Sequence, residues 1–126
     1  MTNKISSNKE WREIFVQRLL KFGVAVIRLA NKFPKTPAGF VIANQLIRSA
    51  TSIGANFVEA QDASSIKDFI QKLSIALREA GETIYWLRIV MMSELASGSL
   101  LAENIKEGNE IIAVLVASVK SSKLKL

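Results

Sequence analysis

Cysteine and histidine are both absent from the 126 residues. Without cysteine there is no disulfide framework, no thiolate metal site and no cysteine nucleophile. A reducing compartment is the simplest expectation. Without histidine the chain lacks the usual general base near neutral pH and the commonest metal ligand. Ser-His-Asp and Cys-His triads are therefore excluded, as is a di-iron bundle site built on Glu-x-x-His pairs. A glycine-rich phosphate loop is also missing, because Gly81 and Gly98 stand alone. The expectation is a protein that is not an enzyme and carries no cofactor. Long apolar runs are missing as well. The longest, Ile111 to Ala117, falls far short of the roughly 20 residues that span a bilayer. Met1 to Glu10 is polar and holds no signal-peptide core. A cytoplasmic chain with no membrane contact is expected.

What is present is apolar and evenly patterned. Hydrophobic residues make up 49% of the chain, enough for a packed core without metals or disulfides. The length fits one domain over residues 1–126. Four segments carry helical periodicity, at about 8–33, 37–62, 66–97 and 100–121. Their short connections make successive helices antiparallel neighbours. The predicted fold class is all-α, an antiparallel up-down-up-down four-helix bundle.

The first segment opens on Ser7-Asn8-Lys9-Glu10, which fits a capping box. Trp11, Phe15, Leu19, Phe22, Val26, Leu29 and Phe33 then recur on one face, until Pro34 ends the helix. In the second, Thr36 is the expected N-cap with Pro37 at the first helical position. Its stripe is Ile42, Leu46, Ala50, Ile53, Phe57 and Ala60, interrupted by Gly54, which implies a close helix approach or a kink. Ser65 with Asp68 starts the third. Its predicted seam is Ile66, Ile70, Leu73, Leu77, Ala80, Ile84, Leu87 and Met91, and Gly98 is its expected stop. Ser99 is the expected cap of the fourth, whose face is Leu101, Ile105, Ile112, Leu115 and Val119. The β-branched stretch Ile111 to Val119 also permits a strand, but length and the lack of hairpin signals favour helix.

Two helices carry more apolar surface than one stripe needs. In the first, Ile14, Val16, Leu20, Val24 and Ile27 lie off the seam; in the fourth, Ile111, Val114 and Val116 do so. A subunit interface is expected there, with deeper burial in the monomer as the alternative. Charge is uneven too. Residues 1–58 hold nine Lys/Arg against two Glu, and residues 59–110 hold five Lys/Arg against nine Asp/Glu. Lys120, Lys123 and Lys125 bring the net charge to +6. A basic N-terminal half and tail point to an anionic partner, with a solvated helix face as the plain alternative.

Resemblance becomes specific from Asn44 to Val90. The stretch holds Gln45-Leu46-Ile47-Arg48-Ser49-Ala50-Thr51-Ser52-Ile53-Gly54-Ala55-Asn56-Phe57-Val58-Glu59-Ala60, then Ser65, Asp68-Phe69, Lys72-Leu73, Ile75-Ala76-Leu77-Arg78-Glu79-Ala80 and Glu82-Thr83-Ile84-Tyr85-Trp86-Leu87. Together with Phe33-Pro34-Lys35 and the early aromatic Trp11, it closely resembles a bacterial four-helix-bundle family. That family was first noticed as proteins encoded in intervening sequences of 23S ribosomal RNA genes. The chain is also similar to the accessory variability proteins of diversity-generating retroelements, basic pentamers that engage nucleic acid and a reverse transcriptase. The resemblance implies an antiparallel bundle assembling into a ring-like homopentamer, and it supplies no catalytic role. The chain departs from the family where Ile-Ala-Glu-Gly often closes the second helix. Here Phe57-Val58-Glu59-Ala60 has no glycine for the turn.

Three constellations are candidate sites. The basic set Lys9, Arg12, Arg18, Lys21, Arg28, Lys32 and Lys35 would bind nucleic acid through phosphate charge rather than base sequence. The polar line Gln45, Arg48, Ser52 and Asn56 is expected to form a structural interhelical network. Glu59, Glu79 and Glu82 are assigned to that network; as an alternative they would converge on a divalent metal. Tyr85 and Trp86 are read as core or interface aromatics, with base stacking as the alternative. The leading expectation is a homo-oligomer, a pentamer by resemblance, that binds RNA or DNA through basic surface. The alternatives are a scaffold recruiting a protein through apolar helix faces, and a metal enzyme using the three glutamates.

Overall fold

The computed structural model describes residues 4–126, with side chains from residue 8 onward. Four helices follow one another: α1 (Lys4–Ala30), α2 (Pro37–Ala60), α3 (Ile66–Met92) and α4 (Ser99–Lys123). Each packs on its sequence neighbour, and α4 closes back on α1. Gly23 faces Thr51 and Gly54 faces Leu19, a pairing that runs in opposite directions and so sets α1 antiparallel to α2. The contact between α2 and α3 is the most extensive, and that between α1 and α4 the least. The core holds Phe15, Leu19, Phe22, Val26 and Leu29 from α1, and Leu46, Ala50, Ile53 and Phe57 from α2. Phe15 and Phe57 meet edge to face at 4.9 Å. Burying each such side chain contributes about 1.5–3 kcal/mol.

Two helix starts follow the sequence closely. The Thr36 hydroxyl accepts from the Gly39 amide at 3.1 Å, with Pro37 at the first helical position. Gly39 is required there, since a Cβ would overlap the Pro34 carbonyl oxygen. Ser65 accepts from the Asp68 amide at 3.1 Å, and Asp68 accepts from the Ser64 amide at 3.2 Å. The Lys72 ammonium and this amide hold the Asp68 carboxyl below its ordinary range.

Other boundaries and faces differ from expectation. The backbone is already helical at Lys4, so Ser7 is not an N-cap; its side chain lies outside the described residues. Phe33 packs in the core beyond the end of α1. Trp11 is 44% exposed rather than buried. The end of α2 closes on Gln61 in right-handed conformation, with no need for glycine. The third helix stops at Met92 rather than near Gly98. Glu94 adopts a left-handed φ of 61°, its amide bonds the Met91 carbonyl at 3.3 Å, and Leu95 N–H bonds the Val90 carbonyl at 3.1 Å. This is a Schellman closure with glutamate where glycine is usual. Gly98 instead begins α4 as its N-cap, leaving Ser99 as the first helical residue.

The α3 seam is buried as expected at Ile70, Leu73, Ala80 and Leu87, and shifts by one position at three others. Ala76, Thr83 and Val90 are buried, while Leu77 and Ile84 are half-buried and Met91 is exposed. Small residues win those places because α2 and α3 approach closely, and Thr83 satisfies its hydroxyl inside the helix pair. On α4, Ile111 is fully buried and Asn104 and Gly108 share its face; Ile105 and Ile112 are half-buried. Gly108 lets α3 and α1 close in, because a Cβ would meet Ile84 Cδ1 at 2.8 Å and Phe22 Cζ at 3.3 Å.

Candidate subunit interface and basic surface

The solvent half of α1 carries two lines of opposite character. Leu20, Val24 and Ile27 recur at i, i+4 and i+7 and are exposed. Lys21 and Arg28 recur at i and i+7, turned about a quarter of the circumference away, and Lys32 follows in the turn after α1. The apolar line forms one wall of a groove of about 420 Å³ between α1 and α2. Gly23, Thr51, Gly54 and Ala55 line it with little side-chain bulk, and Val58 closes it. Gly54 is thus explained by close helix approach, since its missing Cβ would sit 3.4 Å from Leu19 Cβ. The surplus apolar surface expected on α4 does not match that on α1: Ile111 belongs to the core, and Val114 and Val116 are half-buried. A second apolar face lies on α3, where Gly81, Tyr85, Ile89 and Met92 line a shallow cleft beside Arg88.

The seven basic residues separate into three groups. Arg18 lies on the same line as Lys21, but its guanidinium is engaged. It donates to both carboxylate oxygens of Glu107, at 2.6 and 2.7 Å, and to Glu110 at 2.9 Å. The Glu107 hydrogen bonds raise the Arg18 pKa further above its ordinary value. Lys21, Arg28, Lys32 and Lys35 are exposed, and Lys21 borders a small cleft with Glu103 and Glu107. Lys9 and Arg12 lie at the other end of α1, where Glu10, Glu13 and Asp62 line the same depression.

The polar line on α2 bonds mostly to its own helix. Ser52 donates to the Arg48 carbonyl at 2.7 Å, and Asn56 donates to the Ser52 carbonyl at 2.8 Å. Gln45 is half-buried. Arg48 alone crosses to α3, donating to both Glu79 oxygens at 3.2 and 3.3 Å and to Glu82. Glu82 also accepts from the Trp86 indole at 3.1 Å. That bond, with Arg48 beside it, holds the Glu82 carboxyl below its ordinary range. Glu59 is exposed. Among the described residues no group of three or more His, Cys, Asp or Glu is placed to hold a metal ion. Trp86 is therefore tied to a carboxylate, and Tyr85, edge-on to it at 5.1 Å, stays exposed. Sequence reasoning missed the buried hydroxyl pair Ser49–Thr83, 2.9 Å apart. Both positions sit where i, i+3 and i+4 spacing faces the partner helix, and this was the available signal.

The model of the 23S rRNA-intervening sequence protein family matches residues 13–117. The chain belongs to that family. A similar solved structure is a protein of unknown function from the S23 ribosomal protein family of Bacteroides thetaiotaomicron. It is 37% identical, with a TM-score of 0.77, and the match covers 83% of this chain and 97% of that one. No curated protein matches. The family match takes in α2 and α3 entire, so the groove, the Arg48 network and the line from Arg18 to Lys35 all lie within the family domain. Among the described residues no helix is long and apolar enough to cross a membrane.

Proposed function

We propose that this member of the family is a non-enzymatic homo-oligomer that binds nucleic acid through basic surface, without reading base sequence. The observation that carries the reading is the division of α1. Its apolar line continues into the α1–α2 groove, and its basic residues Lys21 and Arg28, with Lys32 just beyond its end, stay in solvent. An apolar groove with a small-residue floor suits a helix ridge from a second copy. The α3 face around Tyr85 and Met92 is a different surface on the diagonally opposite helix. Two unlike patches on one chain favour a head-to-tail contact, which closes into a ring when the rotation between copies divides the circle and otherwise runs on as a filament. The family resemblance supplies the number five. Ring closure would repeat the basic line around an axis, so that a modest patch per subunit becomes a continuous positive band. Each neutralised phosphate then adds salt-dependent affinity.

Light-scattering mass and filter binding of a single-stranded RNA and DNA of equal length test the two halves together. The expected result is one oligomeric species that retains both strands at low salt. A monomer, or an oligomer that retains neither strand, overturns the reading.

A further inference from the structure

Resting on the assembly reading above, we propose that the outward line of α3, centred on Gly81, is the surface received by the α1–α2 groove of a second copy, with α3 seated antiparallel to that copy's α2. The line runs Arg78, Gly81, Tyr85, Arg88 and Met92 in alternating steps of three and four residues, and all five are exposed. Gly81 weakens α3 for no reason inside the chain. A mid-helix glycine lowers helix stability relative to alanine. At Gly23, Gly54 and Gly108 a neighbouring side chain stands within 4 Å of a built Cβ, and at Gly81 nothing does. Bare backbone on an exposed helix face lets a second helix approach closely.

Side-chain sizes on the two surfaces are opposite along their length. The groove is hollow over Gly54 and Ala55 and rises where Val16 and Val58 close it. The α3 line is bare at Gly81 and bulky at Tyr85 and Met92, which are 56% and 76% exposed. Setting Gly81 over Val58 places Tyr85 over the Gly54–Ala55 floor and Met92 beside Ile27. Arg78 to Met92 and Glu13 to Ile27 each span fourteen residues, about 21 Å of helix. Charge sets the direction. No charged residue lines the groove itself. Beyond Val16 and Val58 it opens into a depression where Glu10, Glu13 and Asp62 outnumber Lys9 and Arg12. Among the described residues Arg78 forms no ion pair, and neither do Glu13 and Asp62. Antiparallel seating brings Arg78 to these carboxylates and keeps Met92 at the apolar end. The reverse direction would carry Met92 to the carboxylates and strand Arg78 on apolar surface.

Sedimentation velocity on the full-length parent, V24D, Y85D and an equimolar mixture of the two variants, at about 100 μM of each, tests the pairing. Each variant alone is expected to sediment as a monomer with the helical circular dichroism of the parent. The mixture is expected to form a one-to-one dimer and nothing larger, because V24D keeps an intact α3 line and Y85D an intact groove. Parent-like assembly of Y85D overturns the pairing, and with a monomeric V24D it assigns the groove to a groove-to-groove contact instead. A mixture that stays monomeric overturns the pairing as well. G81L tests the close approach independently. It is expected to weaken self-association about tenfold or more. In the monomeric V24D background it should leave the urea midpoint no lower, since nothing inside the chain meets the added side chain at its Cβ. Unchanged association of G81L overturns the seat at Gly81. A monomeric parent removes the assembly reading and the pairing together, whereas an assembled parent with an assembled Y85D removes the pairing alone.

Discussion

Arg18 and Glu107 form a bidentate ion pair between α1 and α4, the helix pair with the least extensive contact. The pair takes one residue out of an otherwise continuous basic line, since Arg18 precedes Lys21 by a single helical turn. Its removal as a unit is therefore informative. An R18Q/E107Q variant changes no net charge and should leave the salt dependence of nucleic-acid binding unaltered. Replacing Lys21, Arg28 or Lys32 singly should each lower the slope of log affinity against log salt by about one. Parallel filter-binding series at several salt concentrations check both statements.

Groove substitutions should uncouple assembly from folding. Leu20 and Val24 are exposed in the single chain, so L20D and V24D should keep the helical circular dichroism of the parent. Burying an unpaired carboxylate in an apolar interface is strongly unfavourable, and sedimentation velocity should report monomers. Retention of the parent oligomer in both variants would place the interface elsewhere.

Two glycines on facing helices predict opposite outcomes. Nothing lies within 4 Å of a Cβ built at Gly81, and the site is exposed mid-helix. G81A should stabilise the fold by about 0.5–1 kcal/mol through helix propensity. At Gly108 the same methyl meets Ile84 and Phe22, and overpacking costs about 1–3 kcal/mol. G108A should lie at least about 1 kcal/mol below G81A in urea unfolding.

The Schellman closure at the end of α3 carries a residue poorly suited to it. Glu94 holds a left-handed φ of 61°, a conformation that glycine adopts without a Cβ penalty. E94G should raise stability by about 0.5–1 kcal/mol, read as an increase in Tm. A decrease would mean that the Glu94 side chain contributes more than its backbone conformation costs.

Acid should weaken the Arg48 cluster. Glu82 is held below its ordinary range by the Trp86 indole and Arg48, and Asp68 by Lys72 and the Ser64 amide. The unfolded chain therefore takes up these protons first as pH falls. The stabilisation is complete above the unfolded carboxylate values, near about pH 4, and is lost progressively below them. An E82Q/D68N variant should show a flatter Tm profile across about pH 5 to pH 3 than the parent.

What could be read in the sequence was what is local along the chain. Thr36-Pro37 and Ser65-Asp68 declare helix starts because cap and amide are three residues apart. The core faces of α1 and α2 follow from spacing alone. The α3 seam differs at two of its inner positions because hydrophobicity favours Leu77 and Ile84 over Ala76 and Thr83. Close approach to α2 reverses that order, and only the packed pair of helices shows it. Likewise Arg18 looked like a free cation, since its partner Glu107 is 89 residues away.

The central claim is that the line Lys21, Arg28 and Lys32, repeated by assembly, engages nucleic-acid backbone. Its most direct test is the anisotropy of a fluorescent single strand titrated with the parent chain and with K21Q/R28Q/K32Q at about 50 mM and 200 mM salt. The account predicts binding by the parent that weakens steeply with salt, and a variant of unchanged oligomeric mass that binds far more weakly with a shallower slope. Equal affinity and slope in the two proteins, or no binding by the parent at the lower salt, would contradict it.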